Sequence, residues 1–257
     1  MKQALVPCLI VLCAWSTLTG PATHAQPGGA PIQMIGLKVP WVLDRTKPGP
    51  YNRIADALFD GFPSPVELEI QPLMRAMRHF FEGDAECYFL GEESDAYFAG
   101  TPMFNKPVIL SKPFNTVSIR IFSLDREDPF HSLEEVANKR VAVDIGVGGL
   151  VRIEKVAPNL TNMVDALSAD QIFAMLSKGR AEAALMMDYD YALYAARHPD
   201  QKPLKYDPNL AIASATDRVM CKTSERTRAL IDHINNRIDA LTASGELEEM
   251  LYTVPGE

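Results

Sequence analysis

Phe81-Glu82-Gly83-Asp84-Ala85-Glu86-Cys87-Tyr88 reads as the end of a helix, a glycine stop and the start of a strand. The phrase returns at Ser177-Lys178-Gly179-Arg180-Ala181-Glu182-Ala183-Ala184, with Gly-x-Ala-Glu in register. Each copy follows an amphipathic helix and leads into an apolar run, Cys87 to Leu90 and Ala183 to Met187. A repeated helix-to-strand unit points to two similar α/β lobes, and a two-lobed body offers a cleft for a ligand. Helix–glycine–strand is also a common join in α/β chains, so three shared residues alone leave coincidence open.

Outward from the first copy, Met34 to Lys38 is a short apolar strand ended by Pro40. Asn52 to Asp60 sets Ile54, Leu58 and Phe62 on one helical face, and Gly61-Phe62-Pro63 stops it. Val66-Glu67-Leu68-Glu69-Ile70 alternates with period two, and Leu73, Met77, Phe80 and Phe81 form the next helical stripe. This β-α-β-α-β rhythm predicts a parallel sheet. It breaks between Glu92 and Lys112, which suits a loop crossing the mouth of a site.

Around the second copy, Val117 to Phe122 reads as a strand leaving the first lobe. Ser132-Leu133-Glu134-Glu135 reads as a capping box opening a short helix, with a strand from Arg140 to Val143. A second box, Ser168-Ala169-Asp170-Gln171, opens the helix that Gly179 ends. A helix near Tyr189 to Arg197, a strand from Val219 to Cys221 and a long helix carrying Leu230, Ile234, Ile238 and Leu241 to Gly245 complete the pattern. The middle of the chain therefore looks like an inserted lobe, with both ends building the other.

The N-terminus bears on compartment. Met1-Lys2 is a basic start, Ala4 to Leu18 is mostly apolar, and Thr23-His24-Ala25 supplies small residues for a cut after Ala25. Residues 1–25 therefore read as a cleaved signal peptide, and residues 26–33 as a Gly/Pro-rich disordered start. The formal net charge of −8 argues against nucleic acid, whose phosphates need a basic face. Cys87 and Cys221 remain beyond the leader. Both sit on expected strands, where neighbours often point their side chains badly for bridging, so a disulfide and two buried thiols both stay open.

These landmarks, in this order, resemble the family 3 bacterial extracellular solute-binding proteins, the periplasmic receptors of polar amino acid ABC importers. Leu110-Ser111-Lys112-Pro113-Phe114 looks like that family's Phe-Ser-x-Pro-Tyr step into the second lobe. Ser132 to Val143 is similar to its Ser-Leu-x-Asp-Leu-x-Gly-Lys-x-Val-x-Val, with Gly146-Val147-Gly148 in place of Gly-Thr-x. Met175-Leu176-x-x-Gly179-Arg180-Ala181-Glu182-Ala183 fits its second helix-to-strand signature, and Ile234-Asn235 through Gly245-Glu246-Leu247 its final helix. The resemblance implies an α/β fold of the type II periplasmic-binding-protein kind: two α/β lobes, a ligand cleft and two hinge crossings. The lobes would be 26–115 with 217–257, and 118–214. It implies a monomeric periplasmic receptor that closes over a small molecule and presents it to a membrane permease or another periplasmic protein.

Within the resemblance, the family's carboxylate-clamping arginine falls at the fourth position of Thr101-Pro102-Met103-Phe104, and is Phe104 here. A phenyl ring cannot replace two charge-assisted hydrogen bonds, which puts ordinary α-amino acid binding in doubt. Arg120, Lys106 or Lys112 would have to supply a cation from elsewhere. Asp188 lies close to the family's ammonium-pairing carboxylate, with Asp190 as the alternative, and Trp41 matches the aromatic over the ligand. Trp41 with Phe104 could form an apolar or cation-holding slot. The glycine cluster around Val147 and Gly148 could present backbone N–H groups to an anion, or be a plain turn. No nucleophile elbow, P-loop or zinc spacing occurs, so neither catalysis nor any cofactor or metal is expected; a carboxylate acting as general acid in the cleft is the minor alternative.

Overall fold

The β-α-β rhythm is what the chain adopts. The computed structural model describes residues 29–91, 107–144 and 157–253. Along them run β1 (Ile32–Leu37), α1 (Pro50–Phe59), β2 (Val66–Gln71), α2 (Leu73–Glu82), β3 (Cys87–Gly91), β4 (Val108–Leu110) and β5 (Asn115–Phe122). A 3-10 turn at Glu134–Val136 precedes β6 (Val141–Asp144), β7 (Met163–Ala166), α3 (Ala169–Ser177), β8 (Ala183–Met187) and α4 (Asp188–Arg197). The chain then forms β9 (Ala213–Lys222), α5 (Glu225–Ser244) and α6 (Glu246–Tyr252).

The strands form one sheet in the order β2-β1-β3-β9-β5-β8-β6-β7, with β4 also on β9. β1 is parallel to β2 and β3, and β6 is parallel to β7 and β8. Each trio then meets an antiparallel strand, β9 beside β3 and β5 beside β8. The two halves therefore repeat one pattern on either side of the β5–β9 pair, which runs antiparallel from Asn115↔Asp217 to Ile119↔Ala213. Tyr51 ties this crossing to α1: its hydroxyl donates to Asp217 and accepts from the Asn115 amide at 2.6 Å.

The repeated phrase sits at equivalent places in the halves, and its letters have different tasks. In each copy the glutamate backbone N–H donates to the start of the central strand, Glu86 to the Gln33 carbonyl at 2.8 Å and Glu182 to the Arg140 carbonyl at 2.9 Å. In each, its side chain takes the backbone N–H of that same residue, at 3.3 and 3.2 Å. Ala85 and Ala181 are buried beneath. The glycines differ. Gly179 has φ +62, the left-handed region that disfavours a side chain. Gly83 is extended, but a Cβ there would lie 2.6 Å from the His79 carbonyl.

Several sequence expectations change. β7, the edge strand after β6, was not anticipated, and β9 is longer than the Val219–Cys221 core read from sequence. Of the two capping boxes, Ser168 does accept from Gln171 N, while the Gln171 side chain takes Leu167 N instead. At Ser132 no helix opens: only the 3-10 turn forms, and Glu135 accepts from His131 N at 2.8 Å. Cys87 and Cys221 are bridged. They face each other across β3 and β9, and Lys222 N donates to the Glu86 carbonyl at the adjacent pair. That makes Cys87–Cys221 a non-hydrogen-bonded pair, the closer of the two antiparallel spacings, and its Cα atoms are 4.0 Å apart.

Candidate functional site

In open α/β sheets a ligand crevice forms beyond the carboxyl ends of the parallel strands. Here the carboxyl ends of both trios line a single cavity of about 740 Å³. Its wall takes the stretch after β1 (Leu37 to Val42), the start of α2 after β2, and Leu90 in β3. From the other half come Asp144 at the end of β6, Leu167 to Asp170 after β7, and Tyr189 and Asp190 after β8. Val117, Ala215 and Asp217 of the crossing strands also border it.

Two wall residues hold unusual backbones. Trp41 has φ 66 and Leu90 φ 80, the positive-φ non-glycine residues among those described. Such conformations cost on the order of 1–3 kcal/mol each and collect at ligand sites. Leu90 sits where the β3–β9 register slips between Phe89 and Gly91, a bulge that turns the strand end. Trp41 tips a tight turn closed by paired bonds between Val39 and Leu43. Gly49 packs against that turn so closely that a Cβ would fall 2.1 Å from the Trp41 carbonyl. Burial pushes the carboxyl of Asp44, at the foot of the turn, upward. Thr46 N and Oγ1 and the Lys38 ammonium outweigh it and hold the carboxyl below the usual aspartate range.

The Trp41 ring carries two cations, Lys47 Nζ at 4.5 Å and Arg197 Cζ at 4.6 Å from its centroid. Arg197 also pairs with Asp170 at 3.7 Å. Burial pushes its pKa down, against the pull of Asp170 and Asp190. Asp190 is strongly perturbed. Burial, then the nearby charges of Asp144 and Asp217, raise its pKa well above the ordinary value. Tyr51 and Tyr189 stack at 5.4 Å, and burial raises both phenols, so they remain neutral donors. Tyr189 gives its proton to the Leu251 carbonyl at 2.7 Å.

No family model matches this chain, and no curated protein matches it. Solved structures do. The GluR0 ligand-binding core of Nostoc punctiforme, in complex with L-glutamate, aligns over 88% of this chain and 100% of its own, with TM-score 0.68 and 11% identity. ArgBP of T. maritima aligns over 85% and 93%, with TM-score 0.63 and 17% identity. A histidine kinase sensor domain similar to periplasmic binding proteins aligns over 87% and 96%, with TM-score 0.62 and 14% identity. The chain has the type II periplasmic-binding-protein fold. At 11–17% identity the likeness is one of fold.

Within this periplasmic-binding-protein fold, Trp41 lines the cavity. Arg120 and Asp188 instead bond each other, Nε to Oδ2 at 3.1 Å. Asp188 also accepts from Ser118 N, and Arg120 donates to the Pro208 and Leu210 carbonyls. Neither is among the residues lining the cavity; Asp190 is. Residues two apart on a helix do not share a face, so α4 can turn only one of the two acids inward. Lys112 is held by Asp239 on α5. Phe104, Lys106, Val147 and Gly148 lie outside the described residues. Asp144, Arg197 and Asp217 were not singled out from sequence. Arg197 could have been, because Asp190, Leu193 and Arg197 share one helical stripe and all three line the cavity.

Proposed function

We propose that this protein is a periplasmic solute-binding protein whose two lobes, 26–115 with 217–257 and 118–214, close over a small molecule. The observation that carries this reading is the cavity of about 740 Å³ walled by the strand ends of both halves. A solute touching both walls favours the closed arrangement by its difference in affinity for closed and open forms. β5 and β9 are the hinge crossings, and the Tyr51–Asp217–Asn115 bonds brace them. Contacts in the cavity bind and orient the solute without altering it. Export after removal of residues 1–25 accords with the Cys87–Cys221 bridge, which persists in oxidising compartments.

Delivery to the permease of an ABC importer is the favoured role for the closed, monomeric form. The likeness to a histidine kinase sensor domain gives a second reading, in which the closed form signals instead. A thermal-shift screen over amino acids, amines, sugars and organic acids tests the binding itself. A solute that raises the melting temperature and reduces the radius seen by X-ray scattering is the expected result. A cavity that answers to no solute would overturn the proposal, and an adjacent permease gene would separate import from sensing.

A further inference from the structure

Granted that reading, the cavity wall also indicates the class of solute. Its volume lies within the ~300–1,000 Å³ that takes drug-sized ligands, so a single polar amino acid would leave much of it to water. The wall is largely apolar, with Leu37, Trp41, Leu73 and Leu90 prominent. Met74 and Leu167 also border it, at equivalent joins after β2 and β7, and both stay exposed, at 68% and 66%. An apolar body reaching from one to the other would cover both.

Charge sets the polar end. Among the described residues the wall contains Asp144, Asp170, Asp190 and Asp217 with Lys38 and Arg197. Both cations are engaged, Lys38 with Asp44 and Arg197 with Asp170 and the Trp41 ring. Asp190 faces the cavity beside Asp144 and Asp217, and no described residue donates a hydrogen bond to its carboxyl. A carboxylate ligand would set a second negative charge against Asp190; an ammonium would pair with it.

We propose that the cavity takes an organic cation with an extended apolar body, its ammonium seated on Asp190 with Asp144 and Asp217 nearby, and its body lying along Trp41. Of the two tryptophans, Trp15 lies within residues 1–25, so the chain from Gln26 onward is a single-tryptophan background whose emission reports Trp41 alone. In that background, calorimetry and Trp41 emission compare a set of primary, aromatic and quaternary amines led by 4-phenylbutylamine. L-phenylalanine, L-glutamate, L-arginine and 4-phenylbutyrate are the counter-set. Amines should bind and 4-phenylbutyrate should not. Asp190→Asn should weaken the amines at least about tenfold while the variant melts no lower than its parent. Trp41→Leu should weaken the aromatic amines more than the aliphatic ones. If 4-phenylbutyrate or the amino acids bind and the amines do not, the cation assignment fails while the solute-binding reading stands. If both sets are silent, the cation assignment fails, and the solute-binding reading falls with it only when the wider screen of sugars and organic acids is silent too.

Discussion

The guanidinium of Arg197, on α4, lies 4.6 Å from the centre of the Trp41 ring, on the turn after β1, so one cation–π contact joins the two walls of the cavity. Arg197 is 12% exposed, and a partly desolvated contact of this kind contributes about 0.5–2 kcal/mol. Arg197→Met keeps the stem and removes the charge. The open form should then gain by a factor of about 2 to about 30, since ~1.4 kcal/mol is tenfold. X-ray scattering should report a larger radius, and Trp41 emission a wetter ring. An unchanged scattering curve would mean that the walls are held together elsewhere.

Asp190 should make stability depend on pH in a defined direction. It feels the charges of Asp144 from β6, Asp217 from β9, Arg197 from its own helix and, least, Asp188 two residues before it. Burial and the two facing carboxylates raise its pKa, so the folded chain keeps a proton that the unfolded chain releases near ~3.9. Above that value the native state binds more protons, and stability falls as pH rises through the window up to the raised value. Below ~3.9 the contribution is fully present. Asp190→Asn should remove this loss, so urea midpoints of parent and variant should diverge as pH rises above ~3.9. Parallel curves would show an aspartate that titrates normally.

How much of this was readable depended on where each element gets its hydrogen bonds and its burial. β2 was plain because its alternation is written in its own residues, with Glu67 and Glu69 outward. β7 has only Met163-Val164-Asp165-Ala166, two of them exposed, and it exists because β6 offers it a ladder. β9 begins with Ala213-Ser214-Ala215-Thr216-Asp217, a small and polar run that becomes strand only by pairing with β5. The site divides in the same way. An aromatic after the first strand marks Trp41, but the choice between Asp188 and Asp190 depends on the rotation of α4, set by Arg120 and Ser118 on another strand. Asp144 and Asp217 both act on Asp190 only because the two halves of the sheet are joined.

The bridge between Cys87 and Cys221 closes a sequence separation of 134 residues, tying β3 to a strand that returns after the whole second half. Such a link restricts the unfolded chain and contributes about 2–4 kcal/mol. Cys87→Ala with Cys221→Ala should lower the urea midpoint accordingly without changing the paired strands, and reducing agent should do the same to the parent. Equal midpoints with and without reductant would argue that the bridge adds nothing to stability.

The two clasping glutamates offer a test of the internal repeat itself. Glu86 and Glu182 each close a two-way bond with the backbone at the start of a central strand, Gln33 in one half and Arg140 in the other. Glu86→Ala removes a charge-assisted acceptor worth about 1.5 kcal/mol, and should lower the melting temperature by roughly 3–6 °C. Glu182→Ala should act in the same direction. The Arg140 backbone N–H holds the Glu182 carboxyl below its usual range, with smaller help from Lys139 and against slight burial. Its contribution is therefore present above the ordinary glutamate value and lost as pH falls through the lowered one. Hydrogen exchange localises each effect: Glu86→Ala should loosen β1 and β3, and Glu182→Ala should loosen β6 and β8. Should either change loosen both trios equally, the halves would be one cooperative unit, and hinge closure between them would lose its physical basis.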